Sequence, residues 1–97
     1  MKAKKHTKTR TAKDTLQDIL LENAHKTIGQ NVKKAREQAG LTQSQLSNAI
    51  GHTSVSIISC AEIHHKGGHF NIEHLLKIAS VLGIDVREFF NGVKMNA

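Results

Sequence analysis

The segment LTQSQLSNAIGHTSVSIISCAE (residues 41–62) contains two short runs with helical spacing, separated by Gly51. Thr42 and Gln45 stand three apart, the spacing of a capping box, and open a helix of barely two turns whose inward residues are Leu46, Ala49 and Ile50. Gly51 stops it. Thr53 or Ser54 caps the next helix, in which Ile57, Ile58 and Ala61 face inward while Ser54, Ser56 and Ser59 stay polar. Ser47 falls where two helices so joined cross closely, and a larger side chain there forces them apart.

The same spacing extends in both directions. Upstream, Ile28, Val32, Ala35 and Ala39 share one face of a helix that Gly40 ends by taking a left-handed conformation. Before it, Lys13 to Ala24 places Leu16, Ile19 and Leu20 on one face, behind a second capping-box spacing of Thr11 and Asp14. Periodicity leaves open whether Gly29 breaks these two helices apart or one helix runs through. Downstream, His64 to Phe70 is a loop marked by Gly67 and Gly68. Asn71 then caps Ile72 to Leu82, with Leu75, Ile78, Ala79 and Leu82 buried, and Gly83 ends that helix. Asp85 and Glu88 box a last short helix whose Val86, Phe89 and Phe90 close the core. Strand-like alternation is absent, so the chain reads as all-α.

At 97 residues with no proline and no low-complexity linker, the chain makes one small domain. Its net charge of +6 is uneven. Lys2, Lys4, Lys5, Lys8, Arg10 and Lys13 are the only charged residues before Asp14, and from there eight Lys/Arg balance eight Asp/Glu. A polycation without an apolar residue larger than alanine after Met1 has nothing to pack and is expected to be a flexible arm. Its two readings are a solvating tail and an arm for a polyanion, nucleic acid before membrane, because it lacks Trp, Phe or Leu to anchor in lipid. No apolar run approaches the roughly 18–20 residues of a membrane span, and the charged amino terminus is unlike a signal peptide. A cytoplasmic protein is expected.

Two helices of about eight residues joined by a short turn containing glycine form a helix-turn-helix, whose second helix enters the DNA major groove, or equally a tight corner in any helical bundle. From about Thr27 to Asn91 the chain resembles the Cro and phage-repressor type of helix-turn-helix, the XRE-like domain. The resemblance rests on IGQNVKKAREQAGLTQSQLSNAIG, then ISCAE, then FNIEHLLKIASVLGIDVREFF, in family order, and on Arg-x-x-x-Gly-Leu-Thr-Gln at Arg36 to Gln43. It implies a five-helix lambda-repressor-like fold, here carrying an extra N-terminal amphipathic helix. The chain departs from the family at Glu62, which lies eleven residues after Gly51 where the family has ten. A one-residue insertion in the turn keeps Glu62 as the partner of Arg36, whereas an ungapped register puts Ala61 there. The insertion is favoured, since a semi-buried Arg without its carboxylate is costly. The loop from His64 to Asn71 also lacks the family's Arg-x-x-Pro.

By resemblance, Gln43 binds a phosphate and braces the second helix; Thr53, Ser54, Val55, Ser56 and Ser59 lie at the groove; and Lys66 touches a phosphate beyond it. Serine bonds several base edges and valine touches a thymine methyl, so direct readout is thin. A regulator of transcription, a repressor acting as a homodimer on a palindromic double-stranded DNA operator, is expected. The rival is an antitoxin or adaptor that grips a protein partner, with the Lys13–Ala24 helix as the contact. His64, His65, His69 and His74 cluster near Cys60, but the spacing matches no closed zinc site and no second cysteine supports one. No metal, no cofactor and no enzymatic constellation is expected. The expected organisation is an arm over residues 1–12, an amphipathic helix over 13–25, the helix-turn-helix domain over 26–92 and a tail over 93–97.

Overall fold

The computed structural model describes residues 12–96, and side chains from Thr15 onward. The basic arm lies outside the described residues apart from Ala12, which already belongs to the first helix, and the Thr11–Asp14 capping box lies outside them too. Four α-helices follow in order: α1 (Ala12–Gln38), α2 (Gln43–Ala49), α3 (Ser56–Ile63) and α4 (Ile72–Leu82). Short 3-10 segments occupy His65–Gly67 and Val86–Phe90, and there is no strand among the described residues.

The extra N-terminal helix is not a separate element. It is the first half of α1, which continues through Gly29 for 27 residues. Glycine inside a helix costs about 1 kcal/mol relative to alanine, and the reason it is kept here is tertiary. A Cβ on Gly29 would collide with the main-chain oxygens of Ala61 and Glu62, the latter 2.7 Å away, so the missing side chain lets the end of α3 rest directly on α1.

Local signals set the other boundaries. After α1, Gly40 takes φ +76°, the Gly40 amide donates to the Glu37 carbonyl at 2.9 Å and the Leu41 amide to the Arg36 carbonyl at 3.1 Å, the paired bonds of a Schellman ending. The Thr42–Gln45 capping box forms with both of its hydrogen bonds. Asn71 caps α4 in a box completed by His74, whose Nδ1 accepts from the Asn71 amide at 3.1 Å. The last helix is a 3-10 turn of five residues. Asp85 caps it by accepting from the Arg87 amide at 2.8 Å, so the expected Asp85–Glu88 box does not form.

The core is one cluster in which Val32, Leu46, Ile58, Leu75, Ile78 and Phe89 are shielded from solvent, with Ile28, Ile50, Ala61, Phe70 and Ala79 around them. Three residues expected inside are not: Ala39 and Ala49 are exposed, and Phe90 is 39% exposed. Phe90 loses its place because the 3-10 turn aims Phe89 inward and sends its neighbour out. The inward positions of α2 and its C-terminal cap are Leu46, Ser47, buried to 2% exposure, and Ile50, and Ala49, about 200° round the helix from Ser47, faces out.

Candidate nucleic-acid interface

The corner between α2 and α3 is held from behind by a buried polar network. Glu62, 1% exposed, lies on the inner side of α3. Its Oε2 accepts from Arg36 Nε at 2.7 Å and its Oε1 from Arg36 Nη2 at 3.1 Å, a two-pronged pair between α1 and α3. Arg36 Nη1 donates to the Leu41 carbonyl at 2.7 Å, and Gln43 Nε2 donates to Glu62 Oε1 at 2.9 Å, so one carboxylate ties together the first three helices. No buried side-chain polar atom among the described residues lacks a partner. The bond to Glu62 raises the Arg36 pKa against the opposing effect of burial, and the guanidinium stays charged. The Arg36–Glu62 pairing is the one the inserted register requires.

The turn is fixed by Ser47. Its Oγ donates to the Ser54 carbonyl at 2.8 Å, so a hydroxyl small enough for the helix crossing also pins the strand of chain entering α3. Gly51 takes φ +89°, which turns the chain out of α2. Regular α3 begins at Ser56, with Val55 before it already helical in its dihedrals. Ser54 Oγ accepts from the Ser56 amide at 3.3 Å and lies 2.7 Å from Ser56 Oγ, so Ser54, of the two candidates, provides the cap-like contact.

This scaffold leaves Thr53, Ser54, Val55 and Ser56 as a contiguous exposed tract. Ser59, one turn on, is half-buried and shares the outward side of α3 with Ser56, given 100° per residue. Lys66 is exposed beyond the far end of α3, in a left-handed conformation (φ 52°) that follows His64 at φ 56°. Gln43 stands apart from this tract. Its amide group is directed at Glu62 and is half-buried.

Sequence reasoning missed several neighbours of this face. Ile63, 63% exposed, continues the Ser56–Ser59 side of α3 by one further turn. With Glu62 it borders a shallow depression whose other wall is Lys26, Gln30 and Lys33 of α1. The seven-residue spacing of Lys26 and Lys33 was visible, but only the crossing at Gly29 brings them beside α3. The histidines divide into two groups. His25 of α1 stacks with His69, at a centroid distance of 4.2 Å, and with His64, at 5.6 Å, while His52 meets His74 edge-on at 5.4 Å. His64 and His69 each donate Nδ1–H to a loop carbonyl, of Gly68 and Gly67. Among the described residues no three His, Cys, Asp or Glu side chains are placed to share a metal ion. No described helix is long and apolar enough to cross a membrane.

Two short helices at a glycine corner, the second crossing a longer first helix and presenting a polar outer side, form the helix-turn-helix arrangement. No curated protein matches the chain in a sequence comparison. A family model described as Helix-turn-helix matches residues 32–89, well over half of the chain, and covers Arg36, both motif helices, α4 and Phe89. The chain belongs to the helix-turn-helix family of the Cro/C1 type (XRE family), a family of DNA-binding regulatory domains.

Proposed function

We propose that the protein is a sequence-specific transcriptional repressor that binds a palindromic operator in cytoplasmic DNA as a homodimer. The observation that carries this reading is the exposed tract from Thr53 to Ser56, continued by Ser59 and Ile63, on a helix anchored from behind by a buried carboxylate. A rigid helix with hydroxyl and small apolar side chains suits a groove in which Ser bonds base edges and Val55 and Ile63 touch thymine methyls. Lys66 beyond α3, and Lys26 and Lys33 beside it, bind phosphates and set orientation. Gln43 braces α3 through Glu62, while its place at the first turn of α2 puts backbone amides beside a phosphate. Contacts this modest in one protomer leave specificity short, and two half-sites supply the rest. The basic arm, with most of the chain's net charge, adds phosphate contacts without reading sequence.

Selection from a random duplex pool, followed by sedimentation of the selected complex, tests this reading. The expected result is a palindromic consensus with two protomers bound. A consensus without symmetry, or no enrichment, refutes it. A second reading has one observation in its favour: Leu16 and Ile19, on one side of α1, are 40% and 50% exposed, a surface fit for a protein contact. An antitoxin or adaptor would use it to hold a partner, and co-purification with a small toxin combined with failure of operator selection would favour that alternative.

A further inference from the structure

The first three turns of α1 are less buried than the rest of the helix. Burial on this helix starts at Ala24 and Ile28, whereas Leu16 is 40%, Ile19 50% and Leu21 48% exposed. Residues 12–23 form an overhang about 18 Å long, bordered in its second half by the loop of His64 to His69, beside Asp18, Leu21 and Glu22, and by Gly92, Lys94 and Asn96, beside Leu20 and Asn23. A helix of that length is marginal in water by itself; Leu16 and Ile19 mark the side that a partner covers, while Leu21 lies about 170° round from them, on the side of Ile28. Leu16, Ile19 and Asn23 follow one another at steps of three and four, the spacing of a paired-helix seam with a polar residue at one inner position, the device that fixes register and partner number.

We propose that this overhang pairs antiparallel with the same segment of a second copy, and that this pairing sets the distance between the two α3 helices. The inference rests on the reading of the protein as a dimer on DNA and names the interface. Its support is geometric. α3 rests on α1 at Gly29, where the main chain of Ala61 and Glu62 packs against the bare Cα. In an antiparallel seam Leu16 of one copy lies opposite Ile19 of the other, so the twofold axis passes midway between those positions, eleven to twelve residues from Gly29. At 1.5 Å per residue, doubled by the twofold, the two crossings are about 34 Å apart along the helices, and about 36 Å with the 8–10 Å separation of paired axes included. The crossings hold the C-terminal ends of the two α3 helices, so this is the separation of their anchors; half-sites one DNA turn apart are spaced at about 34–36 Å.

Direction agrees with distance. At 100° per residue, Gly29 lies about 110° round α1 from the centre of the Leu16–Ile19 stripe. The twofold of an antiparallel pair points about 90° from the line of contact, so both α3 helices emerge on the same side of the pair and meet one duplex. A stripe on the α3 side itself would bury the recognition helices in the seam; a stripe on the opposite side would turn them away from each other.

Two overhangs of three turns bury less than the roughly 1,200 Å² at the low end of stable interfaces, so association of the free protein is weak and is completed on the operator. The test is sedimentation of the full chain over a concentration series, for the natural protein, Leu16→Glu, Ile19→Glu and, as a control, Leu76→Glu at a position 53% exposed on α4. The expected result is self-association weakened at least tenfold by either overhang variant and unchanged by Leu76→Glu, with circular dichroism showing all four folded. Affinity for a two-half-site duplex falls at least tenfold in the overhang variants, and affinity for an isolated half-site does not. Orientation is read by disulfide formation in a Cys60→Ser background: a mixture of Leu16→Cys and Ile19→Cys proteins cross-links faster than either alone. Faster cross-linking of like with like overturns the antiparallel arrangement. A dimer on DNA indifferent to the overhang charges overturns this interface and leaves the proposed function standing, whereas one protomer per specific site overturns both.

Discussion

Removing the Glu62 carboxylate is the sharpest perturbation of this fold. In Glu62→Ala the guanidinium of Arg36, 7% exposed, keeps its bond to the Leu41 carbonyl and a longer ion pair of Nη2 with Glu37 at 3.9 Å, but loses its two short bonds at Nε and Nη2, of 2.7 and 3.1 Å. Gln43 is deprived of the acceptor of its amide as well. Breaking a buried pair from one side costs about 3–5 kcal/mol, because the remaining charge is left desolvated, and a domain of this size has about 5–15 kcal/mol in all. At about 4–8 °C per kcal/mol for a domain below a hundred residues, the melting temperature should fall by at least about 12 °C. Urea denaturation should show the same destabilisation as a shift in midpoint with an unchanged slope. Glu73→Ala is the control. Its carboxylate pairs with Lys77 at 2.8 Å on the open surface of α4, where ion pairs contribute little, and its melting temperature should hardly move. A double replacement, Arg36→Met with Glu62→Leu, should recover most of the stability, since an apolar pair of similar volume carries no buried charge. Equal, negligible shifts for Glu62→Ala and Glu73→Ala would refute the claim that this carboxylate ties α3 to α1.

Gly29→Ala should destabilise the fold by about 1–3 kcal/mol despite alanine's better helix propensity, because the added methyl meets main-chain oxygens of α3 that cannot swing aside; chemical denaturation gives the value. Stability should also decline in mild acid. Burial, and then the neighbouring His69 and His64, hold His25 below the usual histidine range, and burial followed by His52 does the same for His74. The folded chain binds these protons less tightly than the unfolded chain, so their contribution is complete above about pH 6.5 and is lost as the pH falls below it. Melting curves from pH 8 to pH 5 should show that decline, and His25→Gln with His74→Gln should flatten it. Deleting residues 1–11, which removes five of the six charges ahead of Asp14, should lower the dependence of log affinity on log salt by about 0.9 for each phosphate the arm had neutralised, leaving the preferred operator and the fold unchanged.

What the sequence determined by itself was whatever depends on neighbours a few residues apart. Thr42 with Gln45, Asn71 ahead of α4 and Gly40 after α1 act through bonds spanning three to five residues, and each appears in the structure where its spacing places it. The stripes of Val32, Leu46, Ile58, Leu75 and Ile78 were legible because a 3.6-residue period puts them on one side whatever they pack against. Arg36 and Glu62 could be matched across 26 positions only through the family pattern, together with the cost of a lone buried charge. Tertiary structure decided the rest. Locally Gly29 is a weak point in a helix, and only the arrival of α3 against its Cα makes it the point where the two helices touch. Ala49 faces out because α2 turns Leu46, Ser47 and Ile50 inward, and the Ser47 hydroxyl meets the turn carbonyl of Ser54 only once α3 has packed. His25 joined His64 and His69, and Lys26 and Lys33 came beside Ile63, only once the two helices had crossed. The expected phosphate and base contacts of Gln43, Thr53, Ser54, Val55, Ser56, Ser59 and Lys66 depend in the same way on a surface assembled from separate elements. Caps and periodicity act over one or two turns of chain, whereas a face shared by two helices depends on their crossing angle and depth, which packing of the whole core determines.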